Sequence, residues 1–97
     1  MSIMVLAEFS VKPEKFEEAW NIIKENLPDT LAWDGCHSLE TFSHEEESKY
    51  IFVGKWESKK VYNEYLEWRS KTSAEIFAEL GASADPLKVR YCEIKSL

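Results

Sequence analysis

The sequence predicts an α+β fold in which helices cover one face of a four-stranded antiparallel sheet. Two patterns support this prediction. Apolar residues alternate along four segments, as they do in strands, and recur every three or four residues along the segments between them, as they do in helices. Short motifs stand where one pattern gives way to the other: residues 11–16 (VKPEKF), 34–37 (DGCH) and 55–58 (KWES).

Length and charge limit the possible classes of function. The 97 residues suit a single domain, residues 1–97, with one hydrophobic core. The formal net charge of −6, from 18 acidic and 12 basic side chains, argues against nucleic acid or an anionic membrane surface as a partner. No apolar run approaches the roughly 20 residues of a membrane span. The N-terminus lacks the basic segment of a signal peptide, so we expect a cytoplasmic protein.

The first third of the chain predicts a strand followed by a helix. Residues 3–10 alternate with both faces mostly apolar, which is typical of a central strand. Pro13 suits the first turn of a helix. The helix then places apolar residues on one face, namely Phe16, Trp20, Ile23, Leu27 and Leu31. Pro28 predicts a kink or break between residues 24 and 27, and Gly35 supplies the stop.

The middle of the chain predicts a hairpin and a second helix. Residues 36–43 and 50–56 have strand patterns and are joined by a turn over residues 44–49. Ser58 suits the N-cap of a helix, because its hydroxyl can accept a hydrogen bond from an unpaired amide of the first turn. Apolar residues at helical spacing follow it as far as Trp68.

A short helix and a last strand are predicted at the end of the chain. Residues 72–75 (TSAE) fit a capping box, in which a hydroxyl and a carboxylate each cap a backbone amide. The helix that they open should end near Gly81. Residues 85–86 (DP) predict a turn, and residues 87–94 alternate as a strand.

These elements follow the order βαββαβ, the ferredoxin-like arrangement, with an expected sheet order of 4-1-3-2. Two helices cannot cover both faces of the sheet, so we expect a second copy of the chain to cover the remaining apolar residues. Those that we expect to need this cover are Ile3, Val5, Phe9, Phe52, Val53 and Val89. Cys36 and Cys92 would lie on opposite edges, about 14 Å apart at ~4.8 Å per strand. A disulfide reaches only ~7 Å, so we expect two free thiols.

With this order of elements, the chain resembles the antibiotic biosynthesis monooxygenase family over residues 3–94. The resemblance rests on residues 7–16, 34–37, 52–58 (FVGKWES) and 85–86, taken in that order. It implies a homodimeric α/β barrel with one small-molecule pocket per subunit, between the sheet and the helices. Family members include cofactor-independent oxygenases of anthrones and quinols, haem-degrading enzymes, isomerases and proteins of unknown role, so the fold alone does not select a function.

Some of the family's reactive positions are altered in this sequence. Many members have a histidine in the helix that follows Trp-Glu-Ser, where this chain has Tyr65. Haem-degrading members use an asparagine, a tryptophan and an iron-binding histidine, which would fall at Ala7, Tyr65 and near Glu75. No histidine follows His44, so we do not expect haem degradation. The cysteines and histidines also lack metal-ligand spacing, and we expect neither a cofactor nor a metal site.

Two side chains are candidates for catalysis. Cofactor-independent oxygenation needs an electron-rich phenol or quinol anion that reacts with O₂ where little water is present. His37 could act as a base, because an imidazole accepts protons near neutral pH; the alternative is a partly exposed strand residue bonded to the backbone. Tyr65 could donate a hydrogen bond to a substrate oxygen; the alternative is an amphipathic tyrosine of the core.

Five side chains are candidates for substrate binding. Trp56 and Trp68 could stack on a planar ligand, or Trp56 could pack in the core or in the dimer interface. Arg69 could hold an anionic group, or it could pair with a nearby acid. Ala7 and Phe52 lie in the strand segments that carry the family resemblance, which implies that they line the pocket.

The favoured function is therefore a cofactor-independent monooxygenase of small aromatic or quinol-type substrates. One alternative keeps the pocket and moves a proton instead, as an isomerase does. Another is a non-enzymatic homodimer that binds a small ligand or has a structural role, which the missing helical histidine favours.

Overall fold

The structure, a computed structural model, describes residues 2–95. Met1, Ser96 and Leu97 belong to the predicted domain and lie outside the described residues. The elements follow the chain as β1 (Ile3–Ser10), α1 (Phe16–Leu31), β2 (Cys36–His44), β3 (Lys49–Trp56), α2 (Lys59–Thr72), α3 (Ala74–Leu80) and β4 (Leu87–Glu93). A short 3₁₀ turn over Pro13–Lys15 leads into α1.

The strands form an antiparallel sheet in the order β2-β3-β1-β4. This is the predicted order 4-1-3-2 counted from the other edge, so the predicted ferredoxin-like α+β fold is confirmed. The central strand β1 pairs with β3 on one side and β4 on the other, and Ala7 stands opposite both Phe52 and Val89. Residues that stand opposite each other point to the same face of a sheet. The register therefore groups the side chains of three strands under the helices.

The helices cover one face of the sheet and form the core with it. Val5, Ala7 and Phe9 of β1 are at most 3% exposed. Phe9 belongs to a cluster that includes Leu80 of α3, whereas Val5 packs with Trp56 and the two buried tyrosines of α2. Burial of these side chains removes apolar surface from water, which is the main term that stabilises the fold.

The other face of the sheet carries apolar side chains that the described residues do not cover. These side chains alternate with the buried ones and are Met4, Leu6, Phe42, Ile51 and Val53. All five are half-buried or exposed, and Phe42 is 50% exposed. Of the six residues predicted to need a second copy as cover, only Val53 lies on this open face. The other five share the register of Val5 and lie under the helices, because strand alternation defines two faces without indicating which one the helices cover.

Helix α1 differs from its prediction at its C-terminal end. It continues through Pro28 to Leu31, so of the kink or break predicted between residues 24 and 27, the break does not occur. The buried face ends at Thr30, which is 6% exposed, whereas Leu31 is 51% exposed. The prediction that Leu31 belongs to the apolar face is therefore wrong. Thr30 takes its place because its hydroxyl has hydrogen-bond partners on α2.

The predicted caps have different outcomes. The Ser58 hydroxyl accepts a hydrogen bond from the Val61 amide at 3.2 Å, which confirms the predicted N-cap of α2. The predicted capping box at residues 72–75 does not form. Thr72 is the last residue of α2, and its hydroxyl donates to the Trp68 carbonyl at 3.0 Å instead. Threonine inside a helix often bonds the carbonyl four residues earlier, and this removes it as a cap for α3.

Three further features complete the fold. Gly35 has a φ of 101°, in the left-handed region that favours glycine, and it turns the chain from α1 into β2. Cys36 and Cys92 lie on the opposite edge strands as free thiols, as predicted. Among residues 2–95, no helix combines the length and the apolar character that a membrane crossing requires.

Candidate functional site

A cavity of about 110 Å³ lies between the covered face of the sheet and the helices. Every strand and all three α-helices of the described chain contribute to its lining, which is mostly apolar. The sheet side includes Ala7 and Phe52, and the helix side includes Tyr65 and Arg69. The cavity is thus an apolar space with a small number of polar groups in its wall, as ligand sites usually are.

Two small residues of the sheet lie in the lining of the cavity. Ala7 and Gly54 lie on neighbouring strands and both face the helices. A Cβ atom at position 54 would lie 2.6 Å from the Ser38 carbonyl oxygen and 3.0 Å from Nε1 of Trp56. The close packing around Gly54 therefore leaves no room for a side chain at this position, and the neighbouring Trp56 is 1% exposed.

The polar groups of the cavity wall form one cluster between α1 and α2. Asn26 and Thr30 lie four residues apart on α1, and Tyr65 and Arg69 lie four residues apart on α2, so each pair shares one helix face. The Arg69 guanidinium donates to the Asn26 backbone carbonyl at 3.2 Å, to Thr30 Oγ1 at 3.1 Å and to the Tyr65 hydroxyl at 3.2 Å. It also reaches the Asn26 side-chain oxygen at 3.4 Å.

Arg69 is a buried charge whose protein partners are all neutral. Its side chain is 8% exposed, and none of the ion pairs within residues 2–95 includes it. The guanidinium also lies 4.7 Å from the centre of the Trp68 ring and 5.6 Å from that of Tyr65, within the range of cation–π attraction. The predicted alternative, pairing with a nearby acid, is therefore not what the structure shows.

The Tyr65 hydroxyl can donate a hydrogen bond toward a ligand in one of the two arrangements that its bond with Thr30 allows. It lies 2.8 Å from Thr30 Oγ1 and accepts a bond from Arg69 Nε. When Thr30 donates to the Tyr65 oxygen, that oxygen has two donors and its own hydrogen is free to point elsewhere. Tyr65 is 8% exposed and belongs to the cavity lining, so this hydrogen can reach a molecule in the cavity.

Tyr62 is a second phenol of the lining that the sequence analysis did not assign to the site. It is 5% exposed and packs edge-on against Trp56, with ring centres 4.9 Å apart. Burial raises the pKa of Tyr62, with smaller contributions from Tyr65 and Tyr91. Tyr62 therefore remains protonated at neutral pH and can act as a donor but not as a base.

The structure brings together five of the seven predicted site residues. The lining contains Ala7, Phe52, Trp56, Tyr65 and Arg69. The remaining two predicted residues lie outside it.

Trp68 lies behind Arg69 and packs against Trp33, with ring centres 5.2 Å apart. His37 is exposed and occupies the irregularity in β2 between Cys36 and Ser38. The site residues that sequence reasoning missed are Asn26, Thr30 and Tyr62. A polar pair at helical spacing inside the apolar stripe of α1 was the one available signal for the first two.

Metal-ligating side chains do not cluster among the described residues. No group of three His, Cys, Asp or Glu side chains in residues 2–95 has a geometry that could hold a metal ion. The cavity lining contains none of these four residue types. Its chemistry is that of an arginine, tyrosines and an apolar wall, which can bind an organic molecule and stabilise negative charge on it.

Solved structures share this fold at low sequence identity. A conserved protein from Methanosarcina mazei Go1 has a TM-score of 0.78 and 21% identity, with 98% of this chain and 94% of that chain covered. An antibiotic biosynthesis monooxygenase has a TM-score of 0.77 and 15% identity, with 97% and 99% covered. A protein from Shewanella oneidensis has a TM-score of 0.76 and 22% identity, with 96% and 90% covered.

The sequence itself supports a family assignment. A search of curated protein sequences finds no match. The family model for antibiotic biosynthesis monooxygenase matches residues 2–70. The match begins before β1 and ends within α2, just after Arg69. It therefore includes all five predicted residues of the cavity lining. From this match, the chain belongs to the antibiotic biosynthesis monooxygenase family.

Proposed function

We propose that this chain, as one domain over residues 1–97, is a cofactor-independent monooxygenase of small aromatic or quinol-type substrates. The observation that carries the proposal is the apolar cavity with a buried guanidinium and a phenol in its wall. An aromatic ring fits an apolar wall, and a positive group beside it stabilises the electron-rich anion that reacts with O₂. Family membership is consistent with this chemistry.

The proposed reaction balances without an added reductant. For a quinol, a ring carbon of the ionised substrate forms a C–O bond with O₂ and gives a hydroperoxide. The O–O bond then breaks, the hydrogen on that carbon leaves as a proton, and the departing oxygen takes up protons to become water. Quinol and O₂ thus give hydroxyquinone and water, and the substrate supplies all the electrons that reduce O₂. An apolar site protects the intermediates from side reactions with water.

The cavity residues have separate roles in this proposal. Arg69 stabilises the negative charge of the bound anion, and Tyr65 donates a hydrogen bond to a substrate oxygen. Phe52 and Trp56 contact the ring, and Ala7 leaves room for it. These roles account for Arg69 and Tyr65, two of the few polar side chains in a mostly apolar wall.

His37 and Trp68 have no direct contact with the proposed substrate position. Trp68 can act through Arg69, because its ring supports the guanidinium from behind. His37 as a base stays a prediction. A base role requires that His37→Ala lowers kcat, whereas its exposed position outside the lining leads us to expect no change.

We also propose that the chain acts as a homodimer. The open sheet face presents Met4, Leu6, Phe42, Ile51 and Val53, and large contiguous apolar surfaces of soluble proteins are usually covered by a partner. A second copy packed sheet against sheet would give the α/β barrel. Val53→Asp should shift sedimentation toward a monomer, whereas a wild-type chain that is monomeric across micromolar dilution would contradict the dimer.

One observation favours the non-enzymatic alternative. No imidazole or carboxylate lines the cavity, so the described residues offer no ordinary base to the ligand. A homodimer that only binds a small ligand needs no base, and neither does an oxygenase whose substrate is already ionised. An isomerase must move a proton within the site, which this lining supports less well.

Oxygen uptake tests the proposal. One-ring quinols, naphthoquinols and anthrones are incubated with the protein under air, and the product mass is measured to detect one added oxygen atom. We expect uptake above buffer, with Tyr65→Phe lowering kcat about 100-fold, the usual cost of losing one donor to a developing anion. Tyr91→Phe, the same change at a position outside the cavity lining, is the control. Absence of oxygen uptake would contradict the oxygenase and favour the non-enzymatic homodimer that binds a small ligand. Turnover that continues without O₂ would favour the isomerase.

A further inference from the structure

We infer that the ligand of this cavity is a one-ring aromatic monoanion, such as an aromatic carboxylate or an acidic phenol, that reaches the site already ionised and places its charge beside Arg69. The inference rests on the proposal that the cavity is the ligand site and specifies the charge and size of what it binds. It does not depend on whether the bound ligand reacts with O₂.

The charge follows from the surroundings of Arg69. Removing a guanidinium from water is costly, and buried charges in proteins are paired with an opposite charge in most cases. Arg69 is 8% exposed, and its acceptors are the neutral oxygens of Asn26, Thr30 and Tyr65. Its Nη1 atom has the weakest bond, 3.4 Å to the Asn26 side chain. A ligand anion would supply the missing negative charge at this atom.

The ionisation state follows from the rest of the lining. A site that deprotonates a neutral ligand needs a group that accepts a proton near neutral pH. The lining contains no His, Asp or Glu, and the raised pKa of Tyr62 keeps that phenol protonated. Selection of a molecule that is already an anion in solution removes the need for a base.

The size follows from the cavity volume. A dry engineered cavity of about 150 Å³ holds one benzene molecule. The cavity here is smaller, about 110 Å³, and its walls include the side chains of Phe9, Phe52 and Leu80. Close-packed walls of this kind resist expansion. The part of the ligand inside the cavity can therefore be no larger than one ring, with its charged substituent in the wall beside Arg69, and a three-ring molecule requires the helices to separate from the sheet.

A purely structural role for Arg69 makes a different prediction. As a connection between α1 and α2, it would stabilise the fold through the bonds to Asn26 and Thr30, and it would not distinguish an anion from a neutral molecule. Charge selectivity of binding therefore separates the two roles.

The experiment measures the binding of matched small probes to the full chain at pH 7. Benzoate is compared with benzamide, its neutral analogue of the same shape, and with 9-anthracenecarboxylate, which has three rings. The backbone and indole N–H signals are followed by NMR. Trp56 belongs to the cavity lining, so a shift of its indole N–H signal detects a ligand bound in the cavity. We expect benzoate to bind at least tenfold more tightly than either of the other two and to shift the Trp56 signal.

Two variants test whether Arg69 causes the selectivity. Arg69→Met removes the charge and keeps much of the length. Asn26→Asp keeps the guanidinium and places a carboxylate beside it, at a side chain that lies 3.4 Å from Nη1. In both variants we expect the preference for benzoate over benzamide to fall to about one. If Arg69→Met does not fold, Asn26→Asp still tests whether the charge of Arg69 causes the preference for benzoate.

The outcomes separate this inference from the proposed function. Equal binding of benzoate and benzamide, selectivity that survives Asn26→Asp, or no detectable benzoate binding would each overturn the inference. Oxygen uptake with larger quinols could still support the oxygenase in those cases. Conversely, benzoate selectivity that Arg69→Met and Asn26→Asp both remove, without oxygen uptake on any quinol, supports the inference and rejects the oxygenase.

Discussion

Replacement of Tyr65 by phenylalanine tests the central feature of the site, the hydrogen-bond cluster between α1 and α2. The substitution removes one oxygen atom and keeps the aromatic ring. The contacts of the ring with Trp56 and Trp33, at centre distances of 5.0 and 5.5 Å, should therefore persist. What is lost is the bond to Thr30 at 2.8 Å and the bond from Arg69 Nε at 3.2 Å.

The expected cost follows from these two bonds. A buried bond between neutral groups contributes about 1 kcal/mol, and one to a charged group about 1.5–3 kcal/mol. The Arg69 bond is long, so we take the lower end of that range. Tyr65→Phe should therefore lower the free energy of unfolding by about 2.5 kcal/mol. In a chain of this size, that corresponds to a decrease in Tm of roughly 10–20 °C.

Urea unfolding at a fixed protein concentration measures this cost. The concentration is fixed because association changes apparent stability. Tyr91→Phe is the matched control, because its hydroxyl bonds to Asn63 in an exposed position and should contribute less than about 0.5 kcal/mol. Combining Tyr65→Phe with Thr30→Val in a double-mutant cycle should give a coupling of about 1 kcal/mol. A cost for Tyr65→Phe no larger than that for Tyr91→Phe, together with zero coupling to Thr30, would refute the reasoning.

Three further predictions concern positions inside and outside the cluster. Burial raises the pKa of Tyr62, so above pH 10 the unfolded chain loses this proton while the folded chain retains it. Stability should therefore fall by up to about 1.4 kcal/mol per pH unit from this phenol, and Tyr62→Phe should flatten the alkaline part of a stability–pH curve. Burial also raises the pKa of the Cys36 thiol, whereas Cys92 is exposed, so iodoacetamide at pH 8 should label Cys92 first, as peptide mass analysis would show. Ser58→Ala removes the cap on the Val61 amide and should cost about 1 kcal/mol in urea unfolding, with little effect on ligand binding.

The fold was predictable because its signals are local. The alternation in β1, the Ser58 cap and the ends of the strands each depend on residues a few positions apart, and their order is compatible with few sheet topologies. Apart from the break expected before Pro28, the local predictions that were wrong concern helix ends. Thr72 could cap α3 or close α2, and Thr30 and Leu31 could each continue the stripe of α1. Propensity does not separate such neighbours, because packing against other elements decides between them.

The site was predictable only in part. Tyr65 stood out because it occupies the position of the family's helical histidine, and Arg69 because it could hold an anionic group; the structure places both in the cavity wall. Their partners Asn26 and Thr30 lie 43 and 35 positions away from them in the chain. His37 stood out as a histidine in a strand, yet strand position alone does not say whether a side chain points into a cavity.

The sequence by itself determined the order of elements, the antiparallel sheet and the family, because periodicity and turn chemistry act within short stretches of chain. The tertiary structure alone decided which face of the sheet the helices cover and that Arg69 is buried among neutral oxygens. These properties depend on where distant segments meet. The chemical role of a charged side chain depends on the groups around it, and for Arg69 those groups come together only when α1 and α2 pack over the sheet.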